Sequence, residues 1–243
     1  MRAPAAPAAP RGLVLSPPVA RGAPPGEAGK TPVPPPDAPA DGPVPERPDW
    51  ILRAGNLREL ERDAAKCSLC PLCRARKGFL FGRGLDQRPA LMFVVGPQGR
   101  AAVREGAFPP GKEGELLSAL IERGFKVDAG RVYVTPAVKC AADFAGAVSA
   151  RARQCCGYIA RRQAELLAPG AVVALGEDAG RVMAGRDLPV GILRRLKRLE
   201  LPSGKGKAPL WITYGLDHML AADAVKTEAW NDLRPLASRR LKG

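Results

Sequence analysis

The stretch Ala90-Leu-Met-Phe-Val-Val-Gly-Pro-Gln-Gly99 decides the fold of this chain. Its first six residues are apolar and have the length of a buried β-strand, and the glycines and proline that follow end the strand. Three other runs have the same character, at residues 131–135, 171–175 and 210–214. The segments between them have helical patterns. This alternation predicts an α/β fold of three αβα layers around a central, mostly parallel four-stranded sheet.

The helix signals lie between the strands. They predict helices at residues 49–65, at 149–169 behind a Ser149 cap, after Gly176, at 111–123, and at 226–234, where Pro235 should stop the last one. Parallel sheets bind ligands at the carboxyl ends of their strands. Gly96-Pro-Gln-Gly99, Pro136 and Gly215 each follow a strand, so we expect a ligand crevice there.

Composition divides the 243 residues into two parts. The first fifty residues hold 15 of the 26 prolines and one aromatic residue, Trp50. Such a segment buries too little apolar surface to offset its loss of chain entropy. We therefore expect a disordered Pro/Ala-rich tail at residues 1–48, and one folded domain at residues 49–243.

Charge indicates the class of partner. The chain carries a net charge of +14, and the first fifty residues contribute none of it. A domain this basic favours a polyanionic partner such as DNA, although a merely soluble basic surface is the alternative. Residues 12–16 are too short for a secretion signal, and no run has membrane-spanning length. Six widely spaced cysteines do not resemble a disulfide scaffold, so we expect a cytoplasmic, monomeric protein without membrane contact.

Four of the cysteines have the pattern of a metal site. Cys67 and Cys70 form a C-x-x-C, Cys140 follows far downstream, and Cys155 and Cys156 come one short stretch later. Zinc and iron–sulfur clusters both accept four thiolates, but structural zinc sites usually pair two short knuckles, and the second half here has no such knuckle. Cys73 is expected to be an ordinary small apolar residue.

The motifs around these cysteines carry a family resemblance. They are Cys67-Ser-Leu-Cys-Pro-Leu-Cys-Arg-Ala-Arg76, Phe81-Gly-Arg-Gly84, Leu91-Met-Phe-Val-Val95, Val132-Tyr-Val-Thr-Pro-Ala-Val-Lys-Cys140 and Leu175-Gly-Glu-Asp-Ala179. In this order they resemble the iron–sulfur, or family 4, uracil-DNA glycosylases, from about residue 57 to the C-terminus. The resemblance implies a uracil-DNA-glycosylase-like fold, DNA as partner and a [4Fe–4S] cluster.

The resemblance also implies the cluster ligands. They would be Cys67, Cys70, Cys140 and Cys156, with Cys155 as the alternate fourth ligand. Cys156 is favoured because, counted from it, the family's helical Gln, Leu and Pro match Gln163, Leu166 and Pro169. The cluster's role would be structural.

The catalytic positions of the family are changed in this chain. Gly96 stands at the family's Glu, Pro136 at its Asn and Gly215 at its His, and Pro109 replaces its Phe, with Phe108 one residue away. Proline has no side-chain amide to read a base edge. Gly99 and Phe108 remain as candidate pocket residues, and the possible catalytic substitutes are Glu105, Asp217 and His218.

Three functions remain open from the sequence. The favoured one is a DNA-binding protein of the base-excision-repair type whose uracil excision is weak or lost. The second is an active glycosylase, a hydrolase acting on uracil or another deaminated base through a rewired pocket. The third is a non-catalytic protein that recruits partners through its tail. The basic segment Arg194, Arg195, Lys197 and Arg198 is the candidate for phosphate contact, the alternative being a solvated basic face.

Overall fold

A computed structural model of the chain describes residues 46–143, 148–196 and 199–239. The proposed tail therefore lies outside the described residues, apart from its last three positions. Within the described segments the strands are β1 (Gly78–Phe79), β2 (Arg83–Gly84), β3 (Leu91–Val95), β4 (Val132–Pro136), β5 (Cys140–Ala141), β6 (Ala171–Leu175), β7 (Leu199–Ser203) and β8 (Gly206–Thr213).

The helices occupy the segments between these strands. They are α1 (Asp49–Arg53), α2 (Leu57–Ala64), α3 (Leu72–Ala75), α4 (Arg100–Glu105), α5 (Gly111–Ala119), α6 (Ala150–Leu167), α7 (Glu177–Ala184), α8 (Val190–Leu193), α9 (Leu216–Ala221) and α10 (Asp223–Ala237). A π-helical turn at Leu120–Phe125 continues α5, and a short 3-10 turn at Ala129–Arg131 leads into β4. Among the described helices, none combines the length and apolar character needed to cross a membrane.

Six of the described strands form one mixed sheet in the order β2-β4-β3-β6-β8-β7. The four expected strands are its parallel centre, with β4, β3, β6 and β8 side by side. The expectation of four strands missed the two antiparallel edges, β2 and β7. Strand β2 has only two residues, and β7 contains Pro202 and alternates between buried and exposed positions, so neither has the apolar run that identified the others.

Helices cover both faces of the sheet. Leu91, Phe93 and Val95 of β3 enter one apolar core, together with side chains of α5 and α10. Met92 and Val94 enter the other core, together with side chains of α6 and α7. Side chains alternate in direction along a strand, so a strand buried on both faces must be apolar throughout. Each such side chain contributes about 1.5–3 kcal/mol on burial.

Two expected helices have different bounds. The helix expected at residues 49–65 is divided into α1 and α2, because the side chain of Asn56 accepts a hydrogen bond from the backbone N–H of Glu59 and starts a new helix. The last helix begins at Asp223 and runs past Pro235 to Ala237. Pro235 removes the hydrogen bond that its N–H would make to the carbonyl of Asn231, and the helix ends two residues later. Ser149 caps α6 as expected.

Candidate functional site

The parallel strands end together at one edge of the sheet. Val95 and Pro136 are register partners at the ends of β3 and β4. Gly176, after β6, faces Gly215, after β8, so closely that a Cβ on Gly176 would lie 3.3 Å from the Cα of Gly215. Gly176 also has a φ of +98°, which glycine adopts without strain. At the edge where the crevice is expected, the backbones of the loops after β6 and β8 therefore lie close to one another.

Two positions of the loop between β3 and α4 have space but no catalytic side chain. No atom lies within 4 Å of a Cβ built on Gly96, so the position is open and carries no carboxylate. Gly99 caps the start of α4, with the carbonyl of Ala142 3.7 Å from a Cβ built there. Both positions can accept a larger group from outside the chain or by substitution.

Pro136 ends β4 without a side-chain polar group. Its carbonyl oxygen accepts a hydrogen bond of 2.8 Å from the Nζ atom of Lys139, which also donates to Thr135. Lys139 is fully buried, and burial lowers its pKa to about 7. The carbonyl of Pro136 is therefore already bonded within the protein, and the residue offers no amide to a base.

Gln98 lies in the same loop as Gly96 and was not identified from the sequence. The residue is 4% exposed, and its Nε2 atom donates to the carbonyl of Gly96 at 2.9 Å. Its Oε1 atom is buried without a partner among the described residues. A buried carboxamide oxygen without a donor is costly. A polar side chain placed directly after an all-apolar strand was the available sequence signal.

Phe108 is held in the protein core and is only 6% exposed. The guanidinium of Arg83 lies 4.8 Å from the centre of its ring and donates to the carbonyls of Gly106 and Phe108 at 3.0 and 3.2 Å. Burial lowers the pKa of Arg83. One face of the aromatic ring is thus covered by a cation that also fixes the loop, and Pro109 beside it is buried as well.

Asp217 and His218 lie together in the first turn of α9. His218 Nδ1 and Asp217 Oδ1 are 3.0 Å apart, and both side chains are largely exposed. Glu113 lies on α5. Burial, and then the negative charge of Asp217, raise the pKa of Glu113. Glu105 is exposed, and no hydrogen bond or ion pair joins it to another described residue. The structure therefore adds Glu113 to this pair.

Arg194 is engaged inside the protein. Its guanidinium contacts Glu228 at 2.6 Å and Asp232 at 2.8 Å, and it stacks 4.2 Å from the ring centre of Tyr214. Only 13% of its side chain is exposed. Hydrogen bonds from Arg194 and Tyr214 lower the pKa of Glu228. Arg195 is exposed, whereas Lys197 and Arg198 lie outside the described residues.

The cysteines gather between the loop before β1, the strand β5 and helix α6. Cys70, Cys140, Cys155 and Cys156 share one buried cluster, and Cys73 packs against it. The Sγ atom of Cys155 lies 3.7 Å from the carbonyl of Leu69, inside the C-x-x-C. All six cysteines are free thiols. Both candidate fourth ligands thus adjoin Cys70 and Cys140, whereas Cys67 packs against a neighbouring apolar cluster that contains Phe81 and Ile159.

The pKa values of these cysteines and the position of Arg76 decide whether the cluster could hold a metal group. Burial raises the pKa of Cys140 and Cys155 to about 11 and of Cys156 to about 12, so these groups are thiols at neutral pH without a cation. Arg76 opposes this effect at Cys140, and its Nη1 atom is buried without a partner among the described residues.

The donor set fits a tetrathiolate group, whose net negative charge Arg76 would complement through its unpaired Nη1 atom, while its Nη2 atom donates to the carbonyl of Ala65. The side chains are not closed around such a group: in the described segments no three His, Cys, Asp or Glu residues are arranged as metal ligands. Cys73 was expected to be an ordinary small apolar residue, and it packs as a half-buried side chain against this cluster.

A known protein has a sequence similar to part of this chain. The type-4 uracil-DNA glycosylase of Thermotoga maritima is 32% identical over 116 residues, which is 47% of this chain. The chain is similar to a uracil-DNA glycosylase. The match spans 58% of the length of that relative, and no family model matches the chain. The α/β fold with its mixed sheet is compatible with this similarity, which agrees with the resemblance carried by the motifs.

Proposed function

We propose that this chain is a DNA-binding, uracil-DNA-glycosylase-like protein of the base-excision-repair type in which uracil excision is weak or lost. The observation that carries the proposal is the edge formed by β3, β4 and β8. There Gly96 offers no carboxylate, Pro136 has its carbonyl bonded to Lys139 and no amide, and Gly215 offers no imidazole.

The chemistry explains why these changes matter. A glycosylase flips its base into a pocket, reads the base edge and stabilises the charge that develops as the glycosidic bond breaks. Removing one preorganised donor of this kind typically costs about a hundredfold or more in rate. Three distinct groups are missing here, and the pinned amide of Gln98 replaces at most one of them.

DNA contact is assigned to the basic segment Arg194, Arg195, Lys197 and Arg198, in which Arg194 anchors the segment to the protein and the other three residues would contact phosphates. The ion pairs of Arg194 with Glu228 and Asp232 tie the segment to α10, next to the end of β8. The exposed Arg195 beside it is free to reach a phosphate. Such contacts bind the backbone of any sequence.

A [4Fe–4S] cluster is part of the proposal. Cys67, Cys70, Cys140 and Cys156 would hold it, with Cys155 as the alternate, and Arg76 would face its charge. The group would serve as a structural link between the C-x-x-C loop, β5 and α6. Arg151 already joins α6 to that loop, through a 3.1 Å hydrogen bond to the carbonyl of Leu69.

The proposal is tested by DNA binding as a function of salt. Fluorescence anisotropy with labelled duplex and single-stranded DNA should give an affinity that falls steeply as salt rises, because phosphate contacts release counterions. A variant with glutamine at Arg195, Lys197 and Arg198 should have a flatter slope, and Arg194 is kept because it pairs with Glu228 and Asp232 inside the protein. Deleting residues 1–48, which carry a net charge of only +1, should leave binding nearly unchanged. An affinity independent of salt would contradict the proposal.

A second candidate is excision of another deaminated base through a rewired pocket. It is favoured by the joint placement of Glu113, Asp217 and His218 beside Gly215. Single-turnover assays on DNA containing uracil, hypoxanthine or xanthine test it. Release of one base that His218→Ala abolishes, with DNA affinity unchanged, would support this candidate, and release of none would eliminate it.

A further inference from the structure

A cleft rich in arginine lies apart from the strand-end crevice, between the first half of α6 and the end of α7. It has a volume of about 190 Å³, and Gly185 lies at one end of it. Four guanidinium groups line it, those of Arg153, Arg161, Arg181 and Arg186. One carboxylate, Asp187, lies among them. A cation in this cleft can bind an added anion only if no carboxylate of the protein already pairs with it.

Two of the four are paired inside the protein. Asp187 Oδ1 accepts from Arg153 at 2.8 Å and from Arg181 at 3.1 Å. On their other sides, Asp178 lies 3.6 Å from Arg153 and Glu177 lies 2.8 Å from Arg181. The side chains of Arg153 and Arg181 are 10% and 18% exposed. They form one wall of the cleft, and their positive charges are largely neutralised by these carboxylates.

The other two have no such counter-ion. Arg161 donates to the carbonyl of Val182 and lies 5.7 Å from the ring centre of Tyr158, and no carboxylate of the described residues forms an ion pair with it or with Arg186. Burial, and then the positive charge of Arg47, lower the pKa of Arg161. A partly desolvated cation beside other cations is unfavourable unless an anion joins them.

We propose that this cleft binds a phosphate group, held between Arg161 and Arg186 against the wall of Arg153 and Arg181. Guanidinium groups bind phosphate oxygens in pairs, and two unpaired cations match its charge. The cleft is lined by the first half of α6 and by residues in the last turn of α7 and just after it. A phosphate bound there is either a backbone phosphate of DNA or free inorganic phosphate. The site itself does not depend on the proposed function, but its assignment to DNA does.

Inorganic phosphate tests the site without DNA. Thermal unfolding of the full chain should occur at a higher temperature in sodium phosphate than in sodium chloride of equal ionic strength. Arg161→Gln and Arg186→Gln should each weaken phosphate binding by about tenfold or more. Arg186→Gln changes a surface side chain and keeps the test valid if Arg161→Gln folds poorly. Arg58→Gln, at an exposed position on α2, is the matched control and should behave as the parent.

DNA affinity identifies the source of the phosphate. If the group belongs to DNA, Arg161→Gln and Arg186→Gln should each lower the slope of log affinity against log salt by about one. If phosphate binding is lost while this slope is unchanged, the ligand is free phosphate. If the parent does not bind DNA, the proposed function fails, and the thermal measurement still decides the site. Equal stabilisation of parent and variants by phosphate, or none in the parent, would overturn the inference.

Discussion

The carboxylate of Asp217 occupies the space that a side chain on Gly215 would enter, directly beside a Cβ built at that position. Asp217 in turn contacts Nδ1 of His218. The loop after β8 therefore holds an acidic group in the space where the family resemblance implies a histidine side chain. Gly96 differs, because the space next to its Cα is open. A side chain introduced at Gly215 must therefore displace Asp217, whereas one introduced at Gly96 displaces nothing.

Restoring the family residues should restore uracil excision. Gly96→Glu enters open space, Pro136→Asn supplies an amide at the end of β4, and Gly215→His displaces the mobile end of Asp217. We expect the triple variant to release uracil in single-turnover assays in which the parent stays at background. Each single variant should remain inactive, since the roles are distinct. A folded triple variant that binds uracil-containing DNA without excising the base would contradict the assumed geometry.

Iron content tests the cysteine site. Protein purified without oxygen should be brown and contain about four irons per chain, as a four-thiolate cluster requires. Cys67→Ser and Cys140→Ser should lose the colour. Cys155→Ser and Cys156→Ser identify the fourth ligand, and we expect only Cys156→Ser to lose iron. Cys73→Ser is the matched control, because Cys73 lies next to the C-x-x-C without belonging to the proposed set. A colourless protein with one zinc per chain would exclude the cluster.

Arg194 and Arg195 should separate stability from DNA contact. Arg194→Gln removes charge-assisted hydrogen bonds to Glu228 and Asp232 and should lower the free energy of unfolding by about 1–3 kcal/mol. Arg195→Gln, on an exposed neighbour, should change it by less than about 0.5 kcal/mol. Urea unfolding measures both. Equal stability of the two variants would show that the Arg194 ion pairs contribute little.

Glu113 should give a stability difference that depends on pH. Its pKa is raised in the folded protein from an ordinary 4.5, so the charged form is disfavoured on folding. Glu113→Gln should therefore be more stable than the parent at neutral pH, and the difference should disappear as the pH falls below the ordinary glutamate range. Its size should be small, because Glu113 is only half-buried. Glu115→Gln, on the exposed side of the same helix, should show no such dependence.

Sequence patterns predicted the centre of the fold well because each central strand contains a mainly apolar run, of which Leu91–Val95 is the clearest. The edges were missed, because β2 and β7 are defined by pairing with a neighbour and not by composition. Near the candidate site, too, some groupings can be predicted from motifs and others depend on how the elements pack. The grouping of Cys67, Cys70 and Cys140 is visible in motifs, whereas the approach of Glu113 to Asp217 depends on how α5 and α9 pack.

The central claim concerns chemistry at Gly96, Pro136 and Gly215, and one measurement tests it most directly. The parent protein, in excess over DNA with a single uracil and at a salt concentration where it binds that DNA, is assayed for release of the base. The account predicts bound DNA with the uracil retained, at a rate indistinguishable from that without protein. Rapid, complete release of uracil in a single turnover would contradict it.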